Sequence, residues 1–353
     1  MQCFIGYLLA AMVSSLLHKL QGFNACTRLA NLTGFTQIDL PVWAAIRPNG
    51  RSGSSTVGKG TTEEQSKYSA LFECYELTCA ERVKATGTYR LSSLNNSYLF
   101  HPRHIYSEYI DCCEGTRIRS GQTVILPFSC LTMDTTRARD GYRCSTIGIG
   151  AGWTSEQAMN AAIREFIERY SVFKSSTSNY WQKLRVSSMH MDSNKPEINS
   201  LAIACEQASF QILVKDITCV NTWPCYAVHL VAKEAYGVMV GRGYGCHKDR
   251  IQALVQAILE ANQGMCVAAS GIRDDMHKAV YLVNRSERNK WLDIARNTVH
   301  ETSLEDLCFG KHGVESIQVI SESQIIDSLL AFYYPRLSDD DTLFCVKVLM
   351  PVS

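Results

Sequence analysis

The sequence is short of several things, and each shortage excludes a class of protein. No CxxC pair occurs among its 15 cysteines, so zinc-ribbon and thioredoxin-type signatures are missing. An excess of charge of one sign is absent too. The 35 basic and 34 acidic residues leave a net charge of +1, which argues against a chain that lives on phosphate-backbone contacts. Proline (8) and glycine (22) are too sparse for a collagen-like or linker-rich chain. No uncharged run in the sequence is a clean membrane span of roughly 20 apolar residues. The nearest candidate, residues 1–17, lacks the basic residues that open a secretory signal. Residues 1–13 read as an apolar extension or the start of a first helix, ahead of one domain over 14–353.

What is present is enough for a large core. A chain of 353 residues with 46% hydrophobic and 20% charged residues suits one large domain or two ordinary ones. Scattered cysteines in so long a chain read as free, buried thiols of a cytoplasmic protein. Capping residues and apolar stripes predict helices over 62–82, 154–173 and 247–270, and a short one over 322–332. Stretches rich in Val, Ile and Tyr predict strands over 210–220, 226–232, 236–240, 316–321 and 343–350. Residues 49–62 read as a loop and 91–121 as irregular. The content is α/β without regular alternation.

One pattern recurs three times. A glycine-rich segment, read as a turn, leads into a helix with glutamates on one face. The segments are Gly58-Lys59-Gly60, Gly148-Ile149-Gly150-Ala151-Gly152 and Gly243-Tyr244-Gly245. The glutamates are Glu73 and Glu76, then Glu165 and Glu168, then Glu260. From the last glycine to the first glutamate the separations are 13, 13 and 15 residues, which suggests related units meeting at a shared site. A P-loop is a decoy here: Gly53 to Lys59 follows its spacing, but Gly60 replaces the magnesium-binding hydroxyl.

Glutamates three apart share a helix face. Exposed, they form only a solvated face, and Glu165 can pair with Arg169. Their neighbours Phe166, Ile167, Ile258 and Leu259 instead suggest burial, where carboxylates need a partner or a metal. Converging carboxylates repel unless a hard cation joins them, and magnesium takes a few carboxylates plus nucleotide phosphates. The pattern therefore points to a Mg–nucleotide site that is not a P-loop.

These segments, in this order, resemble the YcaO-like family. The resemblance rests on the three glycine–glutamate units and on Glu165-Phe166-Ile167-Glu168-Arg169, Glu260-Ala261-Asn262-Gln263 and Gly271-Ile272-Arg273. It implies an α/β fold in which two related halves pack around a central ATP and Mg2+ site. It implies that Glu73, Glu76, Glu165, Glu168 and Glu260 bind metal. Arg169 matches a phosphate-contacting, catalytic arginine, and Arg273 is a second candidate. Lys59, Thr146, Gly148, Gly150, Gly152, Arg169 and Gln256 fall at nucleotide-site positions. Phe72, Leu77 and Gln256 stand where many members carry arginine, and Gly150 and Trp153 where relatives carry polar contacts.

The implied reaction is ATP-dependent phosphorylation of backbone amide oxygens in a ribosomally made precursor peptide. A Cys, Ser or Thr side chain of the peptide attacks the amide carbon, ATP then phosphorylates the resulting oxygen, and phosphate leaves to give an azoline. An external sulfide gives a thioamide, and a chain with a decayed site serves as a peptide-binding scaffold. The expected partners are the precursor peptide, an E1-like or leader-binding subunit or a TfuA-like protein, and a second copy of the chain. No nucleic acid or membrane is expected.

Overall fold

The computed structural model describes residues 2–93, 108–136, 145–175, 181–184, 196–234, 238–273, 284–297, 301–302 and 319–351. The chain opens with α1 (Gln2–Gly22), β1 (Arg28–Asn31), β2 (Val42–Ile46), β3 (Ser55–Lys59) and α2 (Glu63–Arg82). Next come β4 (Gly87–Arg90), β5 (Tyr109–Arg117), β6 (Thr123–Pro127), β7 (Ile149–Gly152) and α3 (Ser155–Lys174). Then follow β8 (Gln182–Leu184), α4 (Pro196–Gln207), β9 (Phe210–Asp216), β10 (Cys225–Ala232), β11 (Val240–Cys246) and α5 (Arg250–Ser270). The last elements are α6 (Asn284–Asn297), β12 (Glu301–Thr302), α7 (Glu322–Ile326), β13 (Leu330–Tyr333) and β14 (Phe344–Leu349).

The strands form three sheets, ordered β1-β2-β3, β11-β10-β9-β8-β12 and β4-β5-β13-β14-β7, with β6 paired to β5. Each sheet has at one end a strand, β3, β11 or β7, that bears a glycine and runs directly into a long helix. The three helices start where side-chain caps satisfy their free N–H groups. Thr62 accepts from Gln65, Thr154 from Gln157, and Asp249 from both Ile251 and Gln252. The third helix accordingly begins at Arg250, not at 247, because Asp249 takes the cap.

Most glycines expected in turns lie in strands: Gly58, Gly150, Gly152, Gly243 and Gly245 fall in β3, β7 and β11, while Gly148 keeps the turn with φ +75° and Gly60 follows β3. The reason is close packing. A Cβ on Gly58 would lie under 3.0 Å from the backbone of Ser66 and Ala70, one on Gly150 against Ala158 and Ala162, and one on Gly245 against Ala253 and Ala257. In each unit the glycine precedes the cap by four residues, and the helix residues follow it by four and eight. Aligned on their caps, the units agree: Thr62 to Glu73, Thr154 to Glu165 and Asp249 to Glu260 are each eleven residues. The longer third spacing arises because His247 stands where Gly60 and Gly152 stand in the other two units. That histidine shapes the turn: its Nδ1 accepts the Asp249 N–H at 2.9 Å.

The units interlock in a ring. Helix α2 packs on its own strand and touches β7, α3 touches β11, and α5 touches β3. The core is built around them. Leu71 and Tyr75 of α2 pack with Leu16 of α1 and with Leu126 and Leu343. Ile163 and Ile167 of α3 pack with Cys225 and Val346. Leu254 and Ile258 of α5 pack with Ile198, Ile212 and Val228.

Other local expectations change where distant pairing overrides local composition. The 49–62 loop contains β3, held by β2 through the register Trp43↔Gly58. The irregular 91–121 stretch contains β5, which β6 and β13 pair on its two sides; residues 94–107 lie outside the described residues. The 322–332 helix stops at Ile326, and Leu330 starts a strand registered on Leu349. Of the strand expected over 236–240, residues 236–237 lie outside the described residues, and β11 begins at Val240. From the 316–321 stretch, only an isolated bridge of Ile320 to Val220 is described. Twelve cysteines are described as free, and all twelve are buried. Among the described residues, no helix is long and apolar enough to cross a membrane.

Candidate active site

The ring of three units encloses a cavity of about 1060 Å³. Helix periodicity aims one face of each helix into it. Helix α2 presents Tyr68, Phe72, Glu73 and Glu76; α3 presents Arg164, Glu165 and Glu168; α5 presents Gln256, Glu260 and Gln263. All five glutamates expected to bind metal therefore face one space, although they come from three different sheet–helix units. Lys59, Thr146, Gly152, Arg169, Gln256 and Arg273 line the same cavity. Gly148 and Gly150 are not among its lining residues. Gly148 has φ +75° and lies against the Val348 carbonyl, and Gly150 lies under α3, so both serve backbone packing.

The acids are held by few partners. Glu73 accepts the Val57 N–H at 3.2 Å, and Glu76 accepts the Ala151 N–H at 2.9 Å. Lys59 Nζ lies 2.5 Å from Glu260. Arg169 lies 3.5 Å from Glu168 and 3.7 Å from Glu260. The cavity thus joins a cation of one unit to an acid of another. Gln263, at the third unit's counterpart of Glu76 and Glu168, donates to the Val57 carbonyl.

Burial dominates the electrostatics of these acids. It raises the Glu73 carboxyl, and it raises Glu76 well above the usual carboxylate range, with Glu165 and Glu73 adding repulsion. Glu165 is pushed up to about 8 by burial and then by Glu168 and Glu73, with Arg169 and Lys347 opposing. Glu168 is raised by burial and by Glu260. The cluster thus gathers an excess of carboxyl groups whose ionised forms burial and mutual repulsion disfavour.

That excess tests the fit of a hard cation. Among the described residues, no group of three His, Cys, Asp or Glu side chains is close enough to hold one ion. The acids surround the cavity without forming a closed cage. Magnesium suits such an open arrangement, because it keeps several waters and binds through one or two carboxylates plus phosphate oxygens. The oxygen-only donor set fits Mg2+ and a polyphosphate, and does not suit a softer metal.

Two features escape sequence reasoning. Tyr68, Phe72 and Trp153 form an aromatic wall of the cavity. The Tyr68 and Phe72 rings are 4.4 Å apart, and Trp153 Nε1 donates to the Tyr68 hydroxyl at 2.6 Å. The second is Arg164. It stands four residues before Glu168, so its place on the cavity face was available from helical spacing once Glu168 was singled out.

A protein-family model described as YcaO cyclodehydratase, ATP- and Mg2+-binding, matches residues 57–309. A protein of Rhizobium leguminosarum bv. trifolii, described as lying in a tfuA 3′ region, is 27% identical over 275 residues. The match covers 72% of this chain and 65% of that relative, so the chain spans somewhat less than two-thirds of the relative's length. A Methanothermobacter thermautotrophicus protein is 24% identical over 359 residues, covering 92% of this chain and 88% of its own length. Among solved structures, YcaO from Methanopyrus kandleri bound with AMPPCP and Mg2+ has a TM-score of 0.70 at 18% identity, covering 97% and 90% of the two chains. A heterocyclase in complex with substrate and cofactor has a TM-score of 0.68 at 18% identity, covering 93% of this chain and 49% of that one. At these identities the structural likeness establishes the fold.

Proposed function

The chain belongs to the YcaO family, whose cofactors are ATP and Mg2+, and from that premise we propose that it activates backbone amides of a ribosomally made precursor peptide by O-phosphorylation. The product chemistry is cyclodehydration of Cys, Ser or Thr to azolines. One observation carries the reading: five glutamates from three separate units face one cavity, with their carboxyl groups raised by burial and mutual repulsion. A protein gains nothing in stability from such an arrangement, so it points to a ligand that neutralises it.

A backbone amide is a poor electrophile because its oxygen leaves badly. Bound Mg–ATP supplies the phosphoryl group that turns that oxygen into phosphate, with the metal offsetting charge on the transferring group. The chain's own residues do the rest. Glu73, Glu76, Glu165, Glu168 and Glu260 would hold the metal. Arg169, drawn toward Glu168 and Glu260, contacts the transferring phosphate, and Arg273 adds positive charge from the cavity wall. Lys59, Thr146, Gly152 and Gln256 bound the nucleotide. Preorganised charge of this kind accounts for catalysis without covalent participation by the protein.

The working partners are the precursor peptide and a leader-binding, E1-like or TfuA-like protein. A second reading, thioamide formation with a TfuA-like partner and a sulfide source, is favoured by the Rhizobium relative's place in a tfuA 3′ region. Product mass separates the two: loss of one water per ring for an azoline, exchange of one oxygen for one sulfur for a thioamide. The first experiment is calorimetric titration of ATP with Mg2+ into the wild-type chain and a Glu165→Gln/Glu168→Gln variant. Saturable, Mg-dependent binding that the variant loses supports the site. A folded wild-type chain that binds no nucleotide, alone or with candidate partners, leaves only a peptide-binding scaffold.

A further inference from the structure

We propose that Arg164 is a direct phosphate-binding residue of this site, gripping the polyphosphate of Mg–ATP across the cleft between the second and third units. The inference rests on the functional reading above and adds a residue to it. Among the described residues five cations line the cavity: Lys59, Arg164, Arg169, Arg242 and Arg273. Four are engaged within the protein. Lys59 is held by Glu260, Arg169 by Glu168 and Glu260, and Arg242 by Glu287, while Arg273 also has a partner. Arg164 makes no ion pair or hydrogen bond among the described residues, and it is exposed at the cavity.

The ring of units shows why an arginine here is unusual. Ten residues after each helix cap stand Phe72, Arg164 and Leu259. Two units place an apolar side chain at that position, so the fold itself does not call for a cation. Arg164 sits four residues before Glu168 on one helix, the spacing at which opposite charges normally pair. Glu168 takes Arg169 instead, which leaves the Arg164 guanidinium open to the cavity. Its field reaches Glu76 and Glu168, on two different helices, and also Cys246 and His247 at the end of β11. An oxyanion bound there shares its oxygens with a cation on Glu76 or Glu168. A guanidinium offers the planar fork that grips phosphate through two parallel N–H donors. With Arg169 it brackets the acidic pair Glu165 and Glu168 along α3.

The test compares wild type with Arg164→Leu and Arg164→Lys. Leucine is chosen because Leu259 fills the equivalent position in the third unit, so the variant keeps the fold. Dissociation constants are measured for Mg–ATP, Mg–ADP and adenosine, beside thermal unfolding of each protein. Expected is an unchanged melting temperature and an affinity for Mg–ATP lowered about tenfold or more in the leucine variant. Adenosine binding stays unchanged, and lysine recovers part of the loss. A role confined to structure would weaken all three ligands together. If wild type binds Mg–ATP and Arg164→Leu binds it within about twofold, the assignment is overturned while the nucleotide site stands. If wild type binds no nucleotide, the functional reading and the assignment fall together.

Discussion

The carboxylate of Glu76 accepts the backbone N–H of Ala151 at 2.9 Å, tying the helix of the first unit to the strand of the second. This contact makes the acid both a site residue and a joint of the ring. One of its oxygens is fixed by the neighbouring unit, so its position is set before any ligand arrives. The same anchoring keeps it beside Glu165 and Glu73, whose charges push its carboxyl upward.

Stability should fall as pH rises through the range set by Glu165. Its carboxyl sits at about 8 in the folded chain against 4.5 ordinarily. Between those values the folded protein keeps a proton that the unfolded chain has released. The stabilisation is complete below about 4.5 and is lost as pH climbs through about 8. Unliganded protein is therefore expected to melt higher at pH 6 than at pH 8.5, by a few degrees. Glu165→Gln should flatten that slope, and identical slopes in the two proteins would remove the premise. Nucleotide binding with Mg2+ should release protons at neutral pH, seen as a heat that varies with the buffer's ionisation enthalpy.

Close packing of the glycine strands predicts a sharp contrast between glycines. Gly150→Ala pushes a methyl group into the backbone of Ala158 and Ala162 and should cost about 2–3 kcal/mol or more. Gly22→Ala, at the end of α1 with nothing within 4 Å, should change stability by less than about 1 kcal/mol. Urea unfolding of both variants checks this. Equal costs would mean that the strand glycines are not there for the helix.

Arg47 and Glu81 form a buried ion pair that organises the approach to β3. Arg47 donates to Glu81 at 2.9 Å, and the other Glu81 oxygen accepts the N–H groups of Arg51 and Ser52. Removing one partner strands a buried charge, so Glu81→Ala is expected to cost about 3–5 kcal/mol. Arg47→Met/Glu81→Leu should recover part of that loss in a double-mutant cycle. Additive losses would show that the pair does not act as a unit.

The buried thiols should be silent in the native protein. Burial pushes Cys205 up to about 12 and Cys113 and Cys266 up to about 11, so these three hold little thiolate near neutral pH, while Cys26, whose thiol a hydrogen bond with Cys74 lowers, is shielded by burial alone. A variant lacking Cys3, Cys144 and Cys308 retains the twelve buried cysteines. It should resist a thiol reagent until denaturant is added, then react at all twelve positions. Fast labelling under native conditions would show that the core opens.

Much of the site was legible in the sequence because helices announce themselves locally. Thr62 and Thr154 sit at the caps, and 3.6-residue periodicity places Glu73 with Glu76 and Glu165 with Glu168 on common faces. Strands were less legible. β5 is held by β6 close by but by β13 some two hundred residues away, as the register Leu330↔Arg117 shows, and no local composition encodes that partner. Glycine misled for a related reason. A missing side chain marks a turn or a strand beneath a helix equally well, and only the helix backbone over Gly58, Gly150 and Gly245 decides between them.

By itself, the sequence determined the three capped helices, the acids they carry, the thiol-rich apolar core and the family resemblance. Each of these depends on residues within a few turns of one another or on a recognisable order of motifs. Tertiary structure alone decided that the three units close into a ring and that five acids share one cavity. It also decided that Lys59 and Arg169 are drawn to Glu260 while Arg164 stays open. Charge pairing and burial depend on which distant surfaces meet, and the free energy of a carboxylate changes severalfold with that environment.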